Sequence, residues 1–320
     1  MFPAQLVLAP MARYTHVAFR QLMAELGGTN LLYTEMLNAR ILCNTNPAHD
    51  IFCQKGNFDF PTAAQIVGGE PDTIATAIKR LDTMEFDAID LNMSCPNGAI
   101  VRYGWGAALQ KNTEKALTIV SHARNATTLP LFIKLRSWPD HNMEPLISFC
   151  LKLQKIGVDG ITLHPREMKD GFKRPAGWQD IKILKDALTI SVVGNGDVQN
   201  IESALKLLES TGCDGIMIGR AALVRPWLFW EITNQRKWQG SPMDVLERMA
   251  TLMDFHFTDK KYALKIFKAF LSWFLRNWLF HRYLYGKIVN QQSISEITSY
   301  LSQHLPNEPI LKNIPIVAKL

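Results

Sequence analysis

Short apolar runs recur along the first two-thirds of the chain, at 6–10, 31–37, 61–68, 88–94, 131–137, 160–166, 191–197 and 215–221. They are continuous rather than alternating, the pattern of parallel strands buried on both faces. Amphipathic stretches at 72–84, 113–125, 143–156 and 201–210 lie between them and read as helices. The first follows Pro71 and the last ends at Thr211-Gly212, a start signal and a stop signal. Eight strands alternating with helices over about 230 residues predict an α/β fold of the (β/α)8, TIM-barrel type. A doubly wound open sheet would carry a G-x-G-x-x-G turn after its first strand. Here Ala9-Pro10-Met11 stands in that place. The pattern changes after Trp238. Gly240-Ser241-Pro242 has turn chemistry, and the stretches 246–256, 261–285 and 293–304 beyond it are helical and aromatic. A barrel over 1–238 and an all-helical domain over 239–320 are expected.

The C-terminal ends of the strands build the active site of such a barrel, and the polar residues of this chain fall there. Strand 2 carries Glu35, strand 3 Gln65, strand 4 Asn92-Met93-Ser94-Cys95-Pro96 and strand 5 Lys134 and Arg136. Strand 6 ends in His164-Pro165-Arg166, strand 7 in Asn195-Gly196-Asp197 and strand 8 in Gly219-Arg220. The last two are small-residue turns entering helices. Backbone N–H groups and a guanidinium there suit a phosphate, although a glycine at a βα turn also has a purely conformational use. A buried lysine without a partner is costly. Lys134 would be accounted for by a flavin, whose reduced ring carries negative charge, or by a structural ion pair with Glu35 or Asp90. Gln65 offers both a donor and an acceptor, as a flavin pyrimidine edge requires.

These residues resemble a known family. Residues 9–20, APMARYTHVAFR, are similar to the opening "APMAGVTDxxFR" of the dihydrouridine synthases. Tyr33-Thr34-Glu35-Met36, Asp90-Leu91-Asn92-Met93-Ser94-Cys95-Pro96, Gly106-Ala107-Ala108-Leu109, Lys134-Leu135-Arg136, His164-Pro165-Arg166, Asn195-Gly196-Asp197 and Met217-Ile218-Gly219-Arg220 follow in the family's order and spacing. The resemblance implies FMN held by Pro10, Met11, Ala12, Gln65, Lys134, His164, Asn195, Gly196, Asp197, Gly219 and Arg220. It implies NADPH as reductant and a tRNA uridine as substrate, reduced to 5,6-dihydrouridine. Hydride would pass from flavin N5 to C6 and a proton from Cys95 to C5. An ordinary thiol, of pKa about 8.5, is mostly protonated at neutral pH and suits an acid. Glu35, Asn92 and Arg166 are the expected substrate contacts. The chain departs from the family at the substrate rim. Ser94 replaces a glycine, the loop 97–102 (NGAIVR) lacks the usual lysine, Glu167 replaces a threonine, and Arg13 and His16 replace Gly and Asp.

The 320 residues carry a net charge of +6 with a pI near 9.0, which suits a polyanionic partner without establishing one. Five cysteines with no C-x-x-C pair argue against a disulfide framework or a zinc site and fit a reducing cytoplasm. No export signal and no membrane span are read in the sequence, so a cytoplasmic, metal-free monomer is expected. Within 261–285, Phe267, Phe270, Phe274 and Trp278 share one side and read as core. Lys261, Lys265, Lys268 and Arg276 share another, either a solvated face or a tRNA contact. Two alternatives stay open. One is an FMN enzyme of the dihydroorotate dehydrogenase type, whose signature also resembles residues 92–97. The other is an RNA-binding barrel without catalysis.

Overall fold

The computed structural model describes residues 5–56, 58–170 and 174–305. Eight parallel strands are present: β1 Gln5–Leu8, β2 Leu32–Asn38, β3 Thr62–Val67, β4 Ala88–Asn92, β5 Leu131–Arg136, β6 Gly160–His164, β7 Ser191–Asn195 and β8 Gly215–Ile218. Their order around the sheet is β1-β8-β7-β6-β5-β4-β3-β2. A bridge between Val7 and Leu31 joins β1 to the start of β2 and closes the ring. The fold is the predicted (β/α)8 barrel.

The helices α1 Val17–Leu26, α2 Ala39–Asn44, α3 Pro71–Leu81, α4 Gly98–Val101, α5 Thr113–Ala126, α6 Met143–Ile156 and α7 Trp178–Ala187 follow the first six strands. After β7 and β8 come α8 Ile201–Thr211, α9 Arg220–Val224 and α10 Leu228–Asn234. The helix predicted at 143–156 is α6, and Gly212 ends α8 with φ +63°. This left-handed cap is the reason a glycine stands there.

Period-two alternation divides the strand side chains into two cores. One set packs outward against the helices and forms the large apolar core. The other fills the barrel floor, where Val7, Tyr33, Ala63, Ala88 and Met217 pack together. Continuing inward at the same parity, the upper layers hold Gln65, Asp90, Asn92, Lys134, Arg136 and His164. The floor is therefore apolar and the mouth polar.

Four further helices follow among the described residues: α11 Pro242–His256, α12 Lys260–Phe274, α13 His281–Ile288 and α14 Ile294–His304. The connection into α11 is pinned, because Trp238 stacks on Trp227 with ring centroids 4.7 Å apart. α11 packs along α1, with Arg248 paired to Glu25 at 2.5 Å. His16, the N-cap of α1, sets its ring edge-on to Phe257 at 5.3 Å. The single helix predicted over 261–285 is instead two. A 3₁₀ turn, Leu275–Asn277, interrupts it, and Trp278 is extended. The break has a tertiary cause: the buried Asn277 amide donates to Val224 O at 2.6 Å as well as to Phe274 O at 2.8 Å. The aromatic side behaves as predicted, with Phe267, Phe270, Phe274 and Trp278 all buried. No helix among the described residues is long and apolar enough to cross a membrane.

Candidate active site

The mouth of the barrel opens into one cavity at the C-terminal ends of the strands. All eleven expected cofactor contacts line it: Pro10, Met11, Ala12, Gln65, Lys134, His164, Asn195, Gly196, Asp197, Gly219 and Arg220. Asn92, Cys95 and Arg136 line it as well. Sequence register explains the convergence. Gln65 pairs with Asp90, Asn92 with Lys134, and Arg136 with His164 across adjacent strands. Pairing partners in a parallel sheet point the same way, so one inward residue fixes its neighbours.

Two hydrogen-bond relays hold these side chains. On the β3–β4 side, the Gln65 amide donates to Asp90 Oδ2 at 2.7 Å and its carbonyl accepts from Asn92 at 2.8 Å. Asn92 Oδ1 then accepts from the backbone N–H groups of Ser94 and Cys95, at 3.1 and 2.9 Å. This fixes the start of the cysteine loop directly on β4. Burial pushes the Asp90 carboxyl up to about 7, against the opposing pull of Gln65 and Lys134. On the other side, Lys134 Nζ donates to Asn195 Oδ1 at 3.2 Å, and the Asn195 amide donates to Met217 O at 2.7 Å. The ion pair with Glu35 or Asp90 is not formed. Burial brings the Lys134 ammonium down to about 8, helped by neighbouring Arg136 and opposed by Asp90 and Cys95.

Arg166 is buried and does not line the cavity. Its guanidinium donates to both carboxylate oxygens of Asp197 at 2.6 Å, to Arg174 O at 2.6 Å, and meets His164 Nε2 at 3.0 Å. It therefore braces two expected cofactor contacts from behind. The His164 imidazole is held well below its ordinary pKa, first by burial and then by Lys134 and three guanidiniums. Asp197 has φ +59° and Gly196 φ +121°. A Cβ on Gly196 would sit 2.9 Å from Ala176 Cβ and 3.3 Å from the His164 ring, so only glycine passes between them. Arg136, which does line the cavity, braces its rim by donating to Ser94 O at 2.7 Å and to Glu167 O at 3.0 Å.

Of the three expected substrate contacts, Asn92 lines the cavity, while Glu35 and Arg166 do not. Glu35 faces away from the cavity, and Met36 lines it instead. The pairing runs Tyr33 to Ala63 and then Met36 to Gln65, so β2 carries one extra residue. This bulge inverts the inward–outward alternation after Tyr33. Thr34 accommodates it, its hydroxyl accepting from Gln65 N at 3.0 Å and donating to Glu35 O at 2.7 Å. Glu35 Oε2 instead accepts from Arg13 N at 2.5 Å, and burial raises its pKa to about 7. Glu167 is likewise not a rim residue. It is buried, and its carboxylate takes Asp140 N at 3.0 Å and Lys169 Nζ at 2.9 Å.

The proposed basic face of α12 divides. Lys261 and Lys265 are exposed. Lys268 donates to Val289 O at 2.8 Å and Gln291 O at 2.6 Å, closing the end of α13. Arg276 is buried and lies over the Trp273 ring at 4.1 Å. Trp273 in turn donates to Tyr14 OH at 3.0 Å, so this corner touches the loop after β1.

The barrel resembles solved structures of larger proteins at low identity. A 6-hydroxypseudooxynicotine amine oxidase from Pseudomonas geniculata N1 superposes with a TM-score of 0.57 at 10% identity, over 72% of this chain and 47% of that one. A histamine dehydrogenase from Rhizobium sp. 4-9 gives 0.54 at 14%, over 78% and 50%. The chain spans about half of each, and the likeness is one of fold. The sequence comparison is more specific. tRNA-dihydrouridine synthase B of Pseudomonas aeruginosa is 30% identical over 281 residues, 85% of this chain and 84% of that protein. A probable tRNA-dihydrouridine synthase of Mycobacterium tuberculosis is 32% identical over 290 residues, 84% of this chain and 74% of that protein. The dihydrouridine synthase (Dus) family model matches residues 7–304, barrel and C-terminal helices together. The chain belongs to the dihydrouridine synthase family.

Proposed function

We propose that the protein reduces a uridine in tRNA to 5,6-dihydrouridine, with FMN as its cofactor and NADPH as reductant. The observation that carries this reading is the shared cavity, which gathers Gln65, Lys134, His164 and Cys95 from four strand ends. The donor set fits a flavin. After its bonds to Asp90 and Asn92, the Gln65 amide keeps one N–H and one lone pair for a ligand. Lys134 brings a cation whose hydrogen bond goes to a neutral amide, so its charge remains to be balanced by an electron-rich heterocycle. Gly219 leaves room between Ala9 and Met11 that a Cβ would enter at 3.4 Å. Arg220 beside it is the candidate phosphate partner.

A bound flavin would supply the hydride. The chain's own residues do the rest. Cys95 is half-buried at the cavity edge, placed by Asn92, and its thiol gives the proton that the reduced base needs at C5. Arg136 keeps Ser94 and the cysteine loop in place. A uridine inside folded tRNA must leave its stack to reach this depth. The C-terminal helices, with Lys261 and Lys265 exposed on α12, hold the rest of the RNA by its phosphates. Arg276, close to the mouth, adds to that field. The family match running through these helices to residue 304 favours tRNA over a free pyrimidine. This reading places the protein in the cytoplasm, as a monomer.

Dihydrouridine mapping on tRNA from cells with and without the gene tests the reading. One position is expected to lose the modification when the gene is removed and regain it on complementation. An unchanged map, with purified protein that takes up no flavin, would overturn it in favour of an RNA-binding role.

A further inference from the structure

Trp105 is 2% exposed, yet it belongs to neither apolar core. Its surroundings are backbone, a guanidinium and a neighbouring ring. A Cβ placed on Gly69, just past β3, would meet indole Cδ1 at 2.4 Å and Nε1 at 2.7 Å, so the indole fills the space that the missing side chain leaves. The Arg40 guanidinium, at the start of α2, stands 4.7 Å from the ring centre and is tied to Glu70 at 2.9 Å. Tyr103 packs beside it at 5.3 Å. The indole N–H is buried without a hydrogen-bond partner, so this placement is held against a cost.

The residue sits where the cysteine loop returns. After Cys95-Pro96 the chain turns outward through α4 and comes back at Trp105-Gly106-Ala107. Ala107 N donates to Cys95 O at 3.0 Å. A Cβ on Gly106 would fall 2.8 Å from Cys95 O and 3.3 Å from Cys95 Cβ. Gly104 and Gly106 have φ of +75° and +60°, so the backbone on each side of Trp105 takes a shape that favours glycine. The neck is therefore closed on the backbone of Cys95 itself.

We propose that Trp105, seated between Gly69 and Arg40, is a positioning residue that latches the neck of this loop and so fixes Cys95 at the cavity. The latch joins the exits of β2, β3 and β4. The role in turnover rests on Cys95 being the proton donor, while the latch itself does not.

The test is site-resolved alkylation of the flavin-loaded protein with N-ethylmaleimide, read by peptide mass spectrometry, with half-buried Cys43 as internal control. Trp105→Ala is expected to raise the rate at Cys95 about fivefold or more and leave Cys43 unchanged, as a local opening does. Trp105→Phe should restore most of the protection. Gly69→Ala expels the ring by a different route and should reproduce Trp105→Ala. The double variant should be no worse than either, and the two independent single variants keep the test standing if one of them folds poorly. With tRNA, kcat should fall by about tenfold to a hundredfold with KM little changed, as misplacement of a reacting group produces. Equal rates at Cys95 in all variants, or a parallel rise at Cys43, would overturn the latch. Exposed Cys95 with undiminished tRNA turnover would leave the latch intact and remove Cys95 from the chemistry.

Discussion

Lys134 on β5 donates to Asn195 on β7 at 3.2 Å, bridging over β6, so a neutral amide rather than a carboxylate receives the buried ammonium. This arrangement carries a stability cost. The folded pKa of about 8 lies below the ordinary 10.5. Between these values the unfolded chain binds more protons, so stability rises with pH there, and below pH 8 the whole cost stands, about 3 kcal/mol. Lys134→Met should therefore make the flavin-free protein more resistant to urea at pH 7, while weakening FMN binding at least about tenfold. A variant that is no more stable, or that holds FMN as tightly as the parent, would deny Lys134 this role.

Cys95→Ala should separate two halves of the reaction. The substituted residue lies at the cavity edge and takes no part in the Lys134–Asn195 and Arg166–Asp197 hydrogen bonds. Flavin content and NADPH oxidation by a general acceptor should be retained, and tRNA reduction should fall about a hundredfold to ten-thousandfold. Stopped-flow oxidation of the reduced enzyme by tRNA measures this, and a full rate in the alanine variant removes the thiol from the mechanism.

Lys265 and Lys268 lie one turn apart on α12 but should respond differently to charge reversal. Lys265→Glu should weaken tRNA binding and flatten its dependence on salt by about one unit of slope, with the melting temperature unchanged. Lys268→Glu should also melt earlier, because its Nζ holds Val289 O and Gln291 O at the end of α13. Salt titrations of tRNA affinity beside thermal melts distinguish the two. Identical melting behaviour would show that the α13 contact contributes nothing.

His16 should make the fold acid-sensitive. Burial, reinforced by Arg20, lowers its pKa from 6.5 to about 3. Between those values the unfolded chain takes up the proton that the folded chain refuses, so stability is lost as pH falls, by about 1.4 kcal/mol per pH unit. His16→Asn retains a side chain able to cap α1 and does not titrate. The difference in unfolding free energy should move in favour of the variant as pH drops from 6.5 towards 4. A pH-independent difference would mean that His16 binds its proton equally well in the folded and the unfolded chain.

The sequence was informative wherever one residue's position follows from strand period alone. Gln65, Lys134, His164 and Asn195 sit at strand ends at the inward parity, and the register carries all four to the mouth. It was misleading where long-range contacts decide. The break at Leu275–Asn277 has no glycine or proline behind it and depends on the distant Val224 carbonyl. Arg166 ends a strand as an exposed contact would, but Asp197, thirty-one residues later, draws it behind the cavity wall. Trp105 gave no signal, since one aromatic among loop glycines forms no pattern. Lys268 looked like its neighbours on the helix until α13 folded against it.

The extra residue in β2 has a chemical meaning of its own. It sets a thioether, Met36, beside Gln65 and keeps a carboxyl with a raised pKa outside the cavity. Shortening the strand by one position would trade these two groups, bringing a proton-exchanging acid into the cavity and leaving the Arg13 N–H without its acceptor. A single extra residue thus decides whether this part of the cavity wall is inert or can exchange protons.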